Sequence, residues 1–435
     1  MHYYCLGIKG AGMSALAAIL HDLGNAVTGY DDHAERKYTQ EGLDARGIAI
    51  YNGPELPLTP DMVVTHSRAL RDDHPEIVRA RAAGLQFVGY DQLMGSLTAQ
   101  FHTVGVAGTH GKTTTTSLIT LIIDSVLGCN YFIGDGTGHA APGNQLFVME
   151  ADEFNRHFLS YHPELAIVTN VELDHVEHYP TLDSVAAAFL EFGNRAQLVV
   201  ACGDDPNTRA ISFGVPVLYY GTGEGNDVVA RDVVMDGDGS RFNCFIDGQL
   251  FGAFEFPVPG HHMLLNALAA IAACRHYGVS AADIALFMSL YETAKRRFKA
   301  KEFGGVVSID DYAHHPTELR VTLETARLKY PDKPVVAVFL PNTYSRTGAL
   351  MGDFVEVLST ADKAYVMDID CDRERPQDYP GVTSDTLIAQ VPGAEKIDLG
   401  TVDKLLCHGD AAVCFMSCAD IAPIREAFEA RLSAI

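Results

Sequence analysis

One stretch constrains this chain more than any other: residues 105–127 read GVAGTHGKTTTTSLITLIIDSVL. Residues 103–107 read as a buried strand, Gly108-Thr109-His110-Gly111 as a tight turn, and Lys112 opens an apolar-periodic helix through residue 127. Glycines at 108 and 111 let backbone N–H groups approach an anion, and the helix start adds unpaired donors and its positive dipole end. Lys112 supplies a mobile charge for outer phosphates, and Thr113 a hydroxyl for a Mg²⁺ held between them. The full Walker pattern needs glycine at 106, where this chain has Val106, so the match is to the shorter G-T-H-G-K-T form. Gly-Lys-Thr can also be an ordinary helix start; the preceding strand, the glycine spacing and the following helix favour a phosphate cradle.

A polyanionic ligand must be held here by local groups, because 32 basic against 56 acidic residues leave a formal charge of −24. That balance opposes sequence-independent binding to nucleic acid or anionic lipid. A length of 435 residues exceeds what one core usually organises and implies two or three domains. Nine cysteines without a C-x-x-C pair suit reduced thiols in a cytoplasmic protein. Neither a secretion signal nor a run of about 18 apolar residues is visible, so no membrane insertion is expected.

Ahead of the loop, residues 3–7 read as a strand, 7–12 as a turn, 13–23 as a helix and 26–30 as the next strand, opening a doubly wound unit whose first turn should hold a phosphate. The turn has the order G-x-x-G-x-G, not the dinucleotide G-x-G-x-x-G, which argues against NAD. Asp31 is placed to accept from a ribose hydroxyl, or equally to stand as a solvated carboxylate beside Asp32. After the loop, strands at 146–149 and 165–169 end in Glu150-Ala151-Asp152-Glu153 and Asn170-Val171-Glu172-Leu173-Asp174-His175. Ligands collect at strand C-termini in open parallel sheets, so these ends should share a crevice with Lys112. Glu150 suits a metal ion and His175 offers a neutral nitrogen, although acidic residues after strands are also common helix caps.

Residues 228–256 alternate around Asp-Gly steps as a meander, and 261–277 form an alanine-rich helix. From Arg296-Arg297-Phe298 onward the chain is again alternating α/β: a strand at 306–309, a polar turn at 310–316, and a helix with Pro316 at its first position. His314 and His315 lack the ligand spacing of a closed zinc site, which favours substrate contacts.

Taken together, GIKGAGMS at 7–14, GTHGKTTTT at 108–116, EADE at 150–153, TNVELDH at 169–175, RRF at 296–298 and DDYAHHPTE at 310–318 resemble the Mur ligases, on the branch that acts on muramate. The resemblance implies an α/β protein of three domains: a doubly wound UDP-sugar-binding domain (1–97), a central ATP-binding domain with a parallel sheet and a small meander (98–294), and a dinucleotide-fold C-terminal domain (295–435) that binds the amino acid and closes over the reactants. It implies ATP and Mg²⁺ as cofactors and joining of L-alanine to the carboxylate of UDP-N-acetylmuramate through an acyl phosphate, in peptidoglycan precursor synthesis. By the same resemblance, Gly108, Thr109, His110, Gly111, Lys112, Thr113 and Thr114 hold ATP phosphates, His262 and Asn266 contact adenine, and Arg297 and Asp311 meet ATP from the C-terminal domain. Thr113, Glu150 and His175 match metal ligands, and Lys112, His175 and His314 the catalytic groups. Gly10, Ala11, Gly12, Met13, Ser14 and Asp31 match the UDP-sugar site, while Tyr312, His314 and Arg346 match the amino-acid pocket. Met263 stands where the family's adenine motif has asparagine, and Asn342 where histidine often precedes the tyrosine.

Two alternatives stay open. A recycling ligase attaching a whole peptide to the same nucleotide sugar would share these motifs, although Glu318 leans toward the alanine-adding reaction. A nucleotide-binding regulatory module without catalysis is the other, motivated by Met263 and Asn342.

Overall fold

The apolar run His2–Leu6 becomes the middle strand of a five-stranded parallel sheet, flanked by Ala26–Tyr30 and Ala49–Tyr51 on one side and by Met62–His66 and Gln86–Phe87 on the other. The computed structural model describes residues 1–434 except 68, 295 and 372–373, so Lys295, the first residue of the expected third domain, lies outside the described residues. Helix Ala11–Asp22 covers the first sheet with Ala15, Leu16, Ile19 and Leu20, the i, i+1, i+4, i+5 stripe that an amphipathic helix presents to a core.

The second sheet has ten strands among the described residues. Its parallel body runs Val217–Gly221, Leu198–Cys202, Leu165–Val168, His102–Ala107, Leu146–Glu150, Asn130–Phe132. The antiparallel meander Val228–Asp236, Gly239–Ile246, Gln249–Phe256 extends one edge, and the short strand Gly138–His139 closes the other. Helices Lys112–Val126 and His261–His276 pack on one face, and the second is buried nearly all round, which its alanine-rich sequence permits.

The third sheet is parallel through Val306–Asp311, Ala412–Met416, Val335–Phe339, Lys363–Val366 and Glu395–Lys396, with Lys299–Phe303 antiparallel at its edge. Here the structure corrects the expected polar turn at 310–316: Asp310 and Asp311 continue the strand, in register with Phe415 and Met416. Burial of Asp311 is tolerated because its two oxygens accept the N–H groups of Ala313 and Phe298, both at 2.8 Å.

The first two sheets are fastened side by side. Arg46 reaches Asp22 at the end of helix Ala11–Asp22 with Nε–Oδ1 2.8 Å and Nη2–Oδ2 2.7 Å, and the same Nη2 donates to Gly138 O across the boundary. Asp22 also accepts the N–H of Ala140, and the Ser14 hydroxyl lies 3.3 Å from Gly136 O.

Candidate active site

Residues 108–111 leave the end of strand His102–Ala107 in a conformation only glycine supports at its two ends. Gly108 and Gly111 have φ of 145° and 81°, and a Cβ would fall 1.8 Å from Thr169 Oγ1 at the first and 2.6 Å from Asn266 Oδ1 at the second. The neighbouring strand end clamps the loop: Thr109 N donates to Asn170 O and His110 N to Asn170 Oδ1, while His110 O accepts from Thr169 Oγ1 and Asn170 Nδ2. Glu172 N donates to Thr109 Oγ1. The tight turn is therefore built jointly by GTHG and TNVE.

Lys112 folds back over this loop. Its Nζ donates to Gly108 O at 2.6 Å and Thr109 O at 3.1 Å and lies 2.8 Å from Glu153 Oε2. Burial works against the ammonium, but Glu153, Asp152 and Glu150 outweigh it and hold the Lys112 pKa above its ordinary value. The same burial pushes the Glu150 and Glu153 carboxyls up, against the pull of Lys112.

A cavity of about 340 Å³ gathers groups from all three sheets. Ala11 and Gly12 reach it from the first, Lys112, Thr113, Glu150, Asp152, Glu153 and His175 from the second, and Arg297, Tyr312, His314 and Glu318 from the third. Asp152, Glu153 and His175 bring ligand atoms within 4.8 Å of one another, and Thr113 and Glu150 line the same cavity. His175 has φ of 50°, and its N–H is taken by Asp174 Oδ1. The His314 Nδ1 faces Tyr312 O at 2.9 Å and Glu318 Oε2 at 3.1 Å. Burial lowers its pKa to about 4 although Glu318 pulls the other way, so the ring is neutral near pH 7.

A second cavity, about 320 Å³, shares His110, Gly111, Arg297 and Glu318 with the first. Thr114, His262, Met263, Asn266 and Asp311 line it, so the expected adenine-side residues converge. Met263, the departure in that motif, receives the Asn266 amide on its sulfur at 3.8 Å. Burial, with His261 and Arg297 nearby, lowers His262 to about 4, and burial raises Asp311 to about 6 against the pull of Arg297.

Several expected residues sit differently. The Met13 side chain is buried in the core, which leaves only its backbone to face a ligand, and Ser14 Oγ is engaged with Ala11 O and Gly136 O. Asp31 is turned inward: Oδ2 accepts Lys9 N at 2.9 Å and Oδ1 accepts His33 N at 3.2 Å, so this carboxylate shapes the 7–12 turn in place of reaching outward. Arg346 does not line the cavity; its guanidinium lies behind the wall, paired with Asp174. Asp152, Glu153 and Asp174 were seen only as members of the strand-end runs, and Glu318 only as a mark of the amine substrate, so none of the four was given a role in the site. Both acidic strand ends were visible, but which members of each point into the crevice depends on the local turn.

Three family profiles match the chain in order: "Mur ligase family, catalytic domain" over residues 2–102, "Mur ligase middle domain" over 106–274, and "Mur ligase, glutamate ligase domain" over 296–411. The UDP-N-acetylmuramate--L-alanine ligase of Lacticaseibacillus casei is 42% identical over 433 residues, covering 99% of this chain and 98% of that protein. Among solved structures, the UDP-N-acetylmuramate-alanine ligase MurC of Thermotoga maritima superposes with a TM-score of 0.81 at 26% identity, covering 100% of this chain and 99% of the other. A murein peptide ligase of Psychrobacter arcticus shares the fold, with a TM-score of 0.74 at 23% identity over 100% and 99% of the two chains. With full-length similarity above 40%, all three profiles in sequence and the same three-domain α/β fold, the chain belongs to the Mur ligase family.

Proposed function

We propose that this chain is an ATP-dependent carboxylate–amine ligase that joins L-alanine to the muramate carboxylate of UDP-N-acetylmuramate in peptidoglycan precursor synthesis. The observation that carries the reading is the single cavity in which a phosphate loop and its lysine meet an acidic cluster from the same sheet and a neutral histidine from another. Alanine-adding relatives 40–42% identical over the whole chain favour alanine over a peptide as the amine. Division into 1–97, 98–294 and 295–435 assigns the nucleotide sugar, ATP and amino acid to successive domains.

A carboxylate does not react with an amine until it gains a leaving group, and the family's route makes an acyl phosphate from ATP. The loop N–H groups and Lys112 bind the phosphates and stabilise charge on the transferring group. Lys112 must leave Gly108 O and Thr109 O to do so, exchanging carbonyl partners for phosphate oxygens. Asp152, Glu153 and His175, with Thr113 and Glu150 beside them, present the oxygen and imidazole donors that suit a hard divalent cation. Mg²⁺ bound there would neutralise phosphate charge as two anions approach. With Nδ1–H directed at Tyr312 O and Glu318, His314 keeps a lone pair on Nε2, and from its place in the cavity wall it would orient the incoming amine. Arg297 and Tyr312, stacked 5.0 Å apart, wall the cavity from the C-terminal side. No helix among the described residues is long and apolar enough to cross a membrane, and we place the protein in the cytoplasm, where these substrates are made.

An amine panel with UDP-N-acetylmuramate and ATP, scored by phosphate release and product mass, tests the reading. L-alanine should give the largest kcat/KM; preference for a tripeptide, or phosphate release without amide product, overturns it.

A further inference from the structure

His110 stands where the phosphate loop, the second sheet and the C-terminal domain converge. Its Nε2 lies 3.2 Å from Glu172 Oε2 and its Nδ1 3.3 Å from Glu318 Oε1. Glu172 belongs to the strand end that clamps the loop, whereas Glu318 lies in the first turn of helix Pro316–Lys329 in the C-terminal domain. The same helix start adds two more contacts to Glu172 and its neighbour: Thr317 Oγ1 donates to Glu172 Oε2 at 2.6 Å, and His315 Nε2 lies 3.4 Å from Leu173 O. The His315 ring packs against that of His110 with centroids 4.7 Å apart, and Arg297 Nη1 stands 3.9 Å from Glu318 Oε1.

His110, Glu172 and His315 are close enough to suggest a metal site. Both ring nitrogens of His110 lie within ion-pair distance of carboxylates, however, with Nε2 hydrogen-bonded to Glu172 and Nδ1 in charge contact with Glu318 without hydrogen-bond geometry, and two flanking carboxylates favour the protonated ring over a cation ligand. Burial opposes that charge, but the hydrogen bond to Glu172 and the negative charges of Glu172 and Glu318 outweigh it and raise His110 to about 9. The backbone of the same residue is fixed by Thr169 and Asn170, so a pull on its ring acts on the phosphate cradle itself.

We propose that His110 is a positioning residue: an imidazolium clasp between Glu172 and Glu318 that holds residues 108–111 in their anion-binding form when helix Pro316–Lys329 is seated, so that nucleotide affinity and C-terminal docking are coupled through one side chain. The proposal rests on loop 108–111 being the ATP site. Binding of ATP favours the seated helix, and the seated helix favours ATP, by the same factor.

The test is a double-mutant cycle of His110→Asn and Glu318→Gln in the full chain, read by steady-state kinetics and by small-angle scattering with a non-hydrolysable ATP analogue. Each single change should raise KM for ATP by about tenfold with a smaller fall in kcat, and the double variant should be no worse than the more affected single, because both break one link. Contraction of the molecule on adding the analogue should be lost in all three, while the dissociation constant for UDP-N-acetylmuramate alone stays unchanged. Thr317→Val, which removes only one hydroxyl, should move KM for ATP in the same direction by less and guards against misfolding of the larger changes. An unchanged KM for ATP in His110→Asn, or single effects that multiply in the double variant, overturns the clasp. Absence of ATP-dependent ligation by the unmodified protein with every amine would instead overturn the proposed function.

Discussion

Arg346 and Asp174 form a two-point ion pair between the third sheet's domain and the second, with Nε–Oδ1 at 2.8 Å and Nη2–Oδ2 at 3.3 Å and both residues buried. Asp174 also caps the N–H of His175, so the pair sets the backbone of a cavity residue. Burial would raise the Asp174 carboxyl, but Arg346 outweighs it and holds the pKa well below the ordinary value.

Asp174→Asn should therefore destabilise the protein by about 3 kcal/mol, measured by urea unfolding, because it leaves a buried guanidinium with a neutral partner. A depressed folded pKa means that the pair's contribution is full above the unfolded carboxyl pKa and is lost as pH falls through the folded value. The stability gap between wild type and variant should shrink toward low pH; a constant gap would place the pair in solvent.

Arg346→Lys keeps the charge but loses the planar fork. Because the Arg346 guanidinium stands behind the cavity wall and holds Asp174, the change should lower stability and shift KM for L-alanine, ATP and UDP-N-acetylmuramate by similar factors. A rise confined to KM for L-alanine would return Arg346 to the amino-acid pocket.

Lys112→Ala should cut turnover by about 10² or more in a folded protein, since it removes charge from the transferring phosphoryl group. Glu153 then loses its buried cation, so the variant should also show weaker thermal stability near pH 7. Near-normal turnover would remove loop 108–111 from the ATP site.

Glu150→Gln should lower activity and shift the magnesium titration to higher concentration, an amide being a poorer ligand for a hard cation than a carboxylate. The Gly134 N–H now held by Glu150 Oε2 can still be satisfied by the amide oxygen, so the fold should survive. An unaltered titration would reduce Glu150 to a cap.

His110 gives an alkaline signature. Its folded pKa is raised, so its contribution to stability is full below the unfolded value near 6.5 and is lost as pH rises through about 9. The groups facing it are Glu172 from the second sheet and Glu318 and His315 from the C-terminal side, with Arg297 on Glu318 Oε1. The thermal midpoint of wild type should fall between pH 7 and 9.5 more than that of His110→Asn; parallel curves would contradict the charged ring.

Local patterns made the phosphate loop legible, because strand, glycines, lysine and helix follow one another within 25 residues or so. The doubly wound start and the meander were legible for the same reason. Asp310 and Asp311 were not, since two carboxylates inside a buried strand contradict composition; Asp311 is held by the N–H groups of Phe298 and Ala313, and Asp310 stands between Arg296 and Arg425. Asp31 could not be told from a ribose ligand without seeing that Lys9 N lies beneath it. Arg346 finds Asp174 at a separation of 172 residues, beyond any pattern in the chain.

The clasp of Arg46, Asp22 and Gly138 has a consequence for substrate choice. Helix Ala11–Asp22 begins at the turn proposed for the diphosphate and is anchored at its other end to the sheet that carries the ATP loop. This helix and its clasp thus bridge the turns proposed for the two anions. On that proposed placement, an acceptor whose carboxylate stands closer to its diphosphate than that of UDP-N-acetylmuramate, or further away, should bind by its nucleotide without presenting its carboxylate to the γ-phosphate, a selection by length as well as by chemistry.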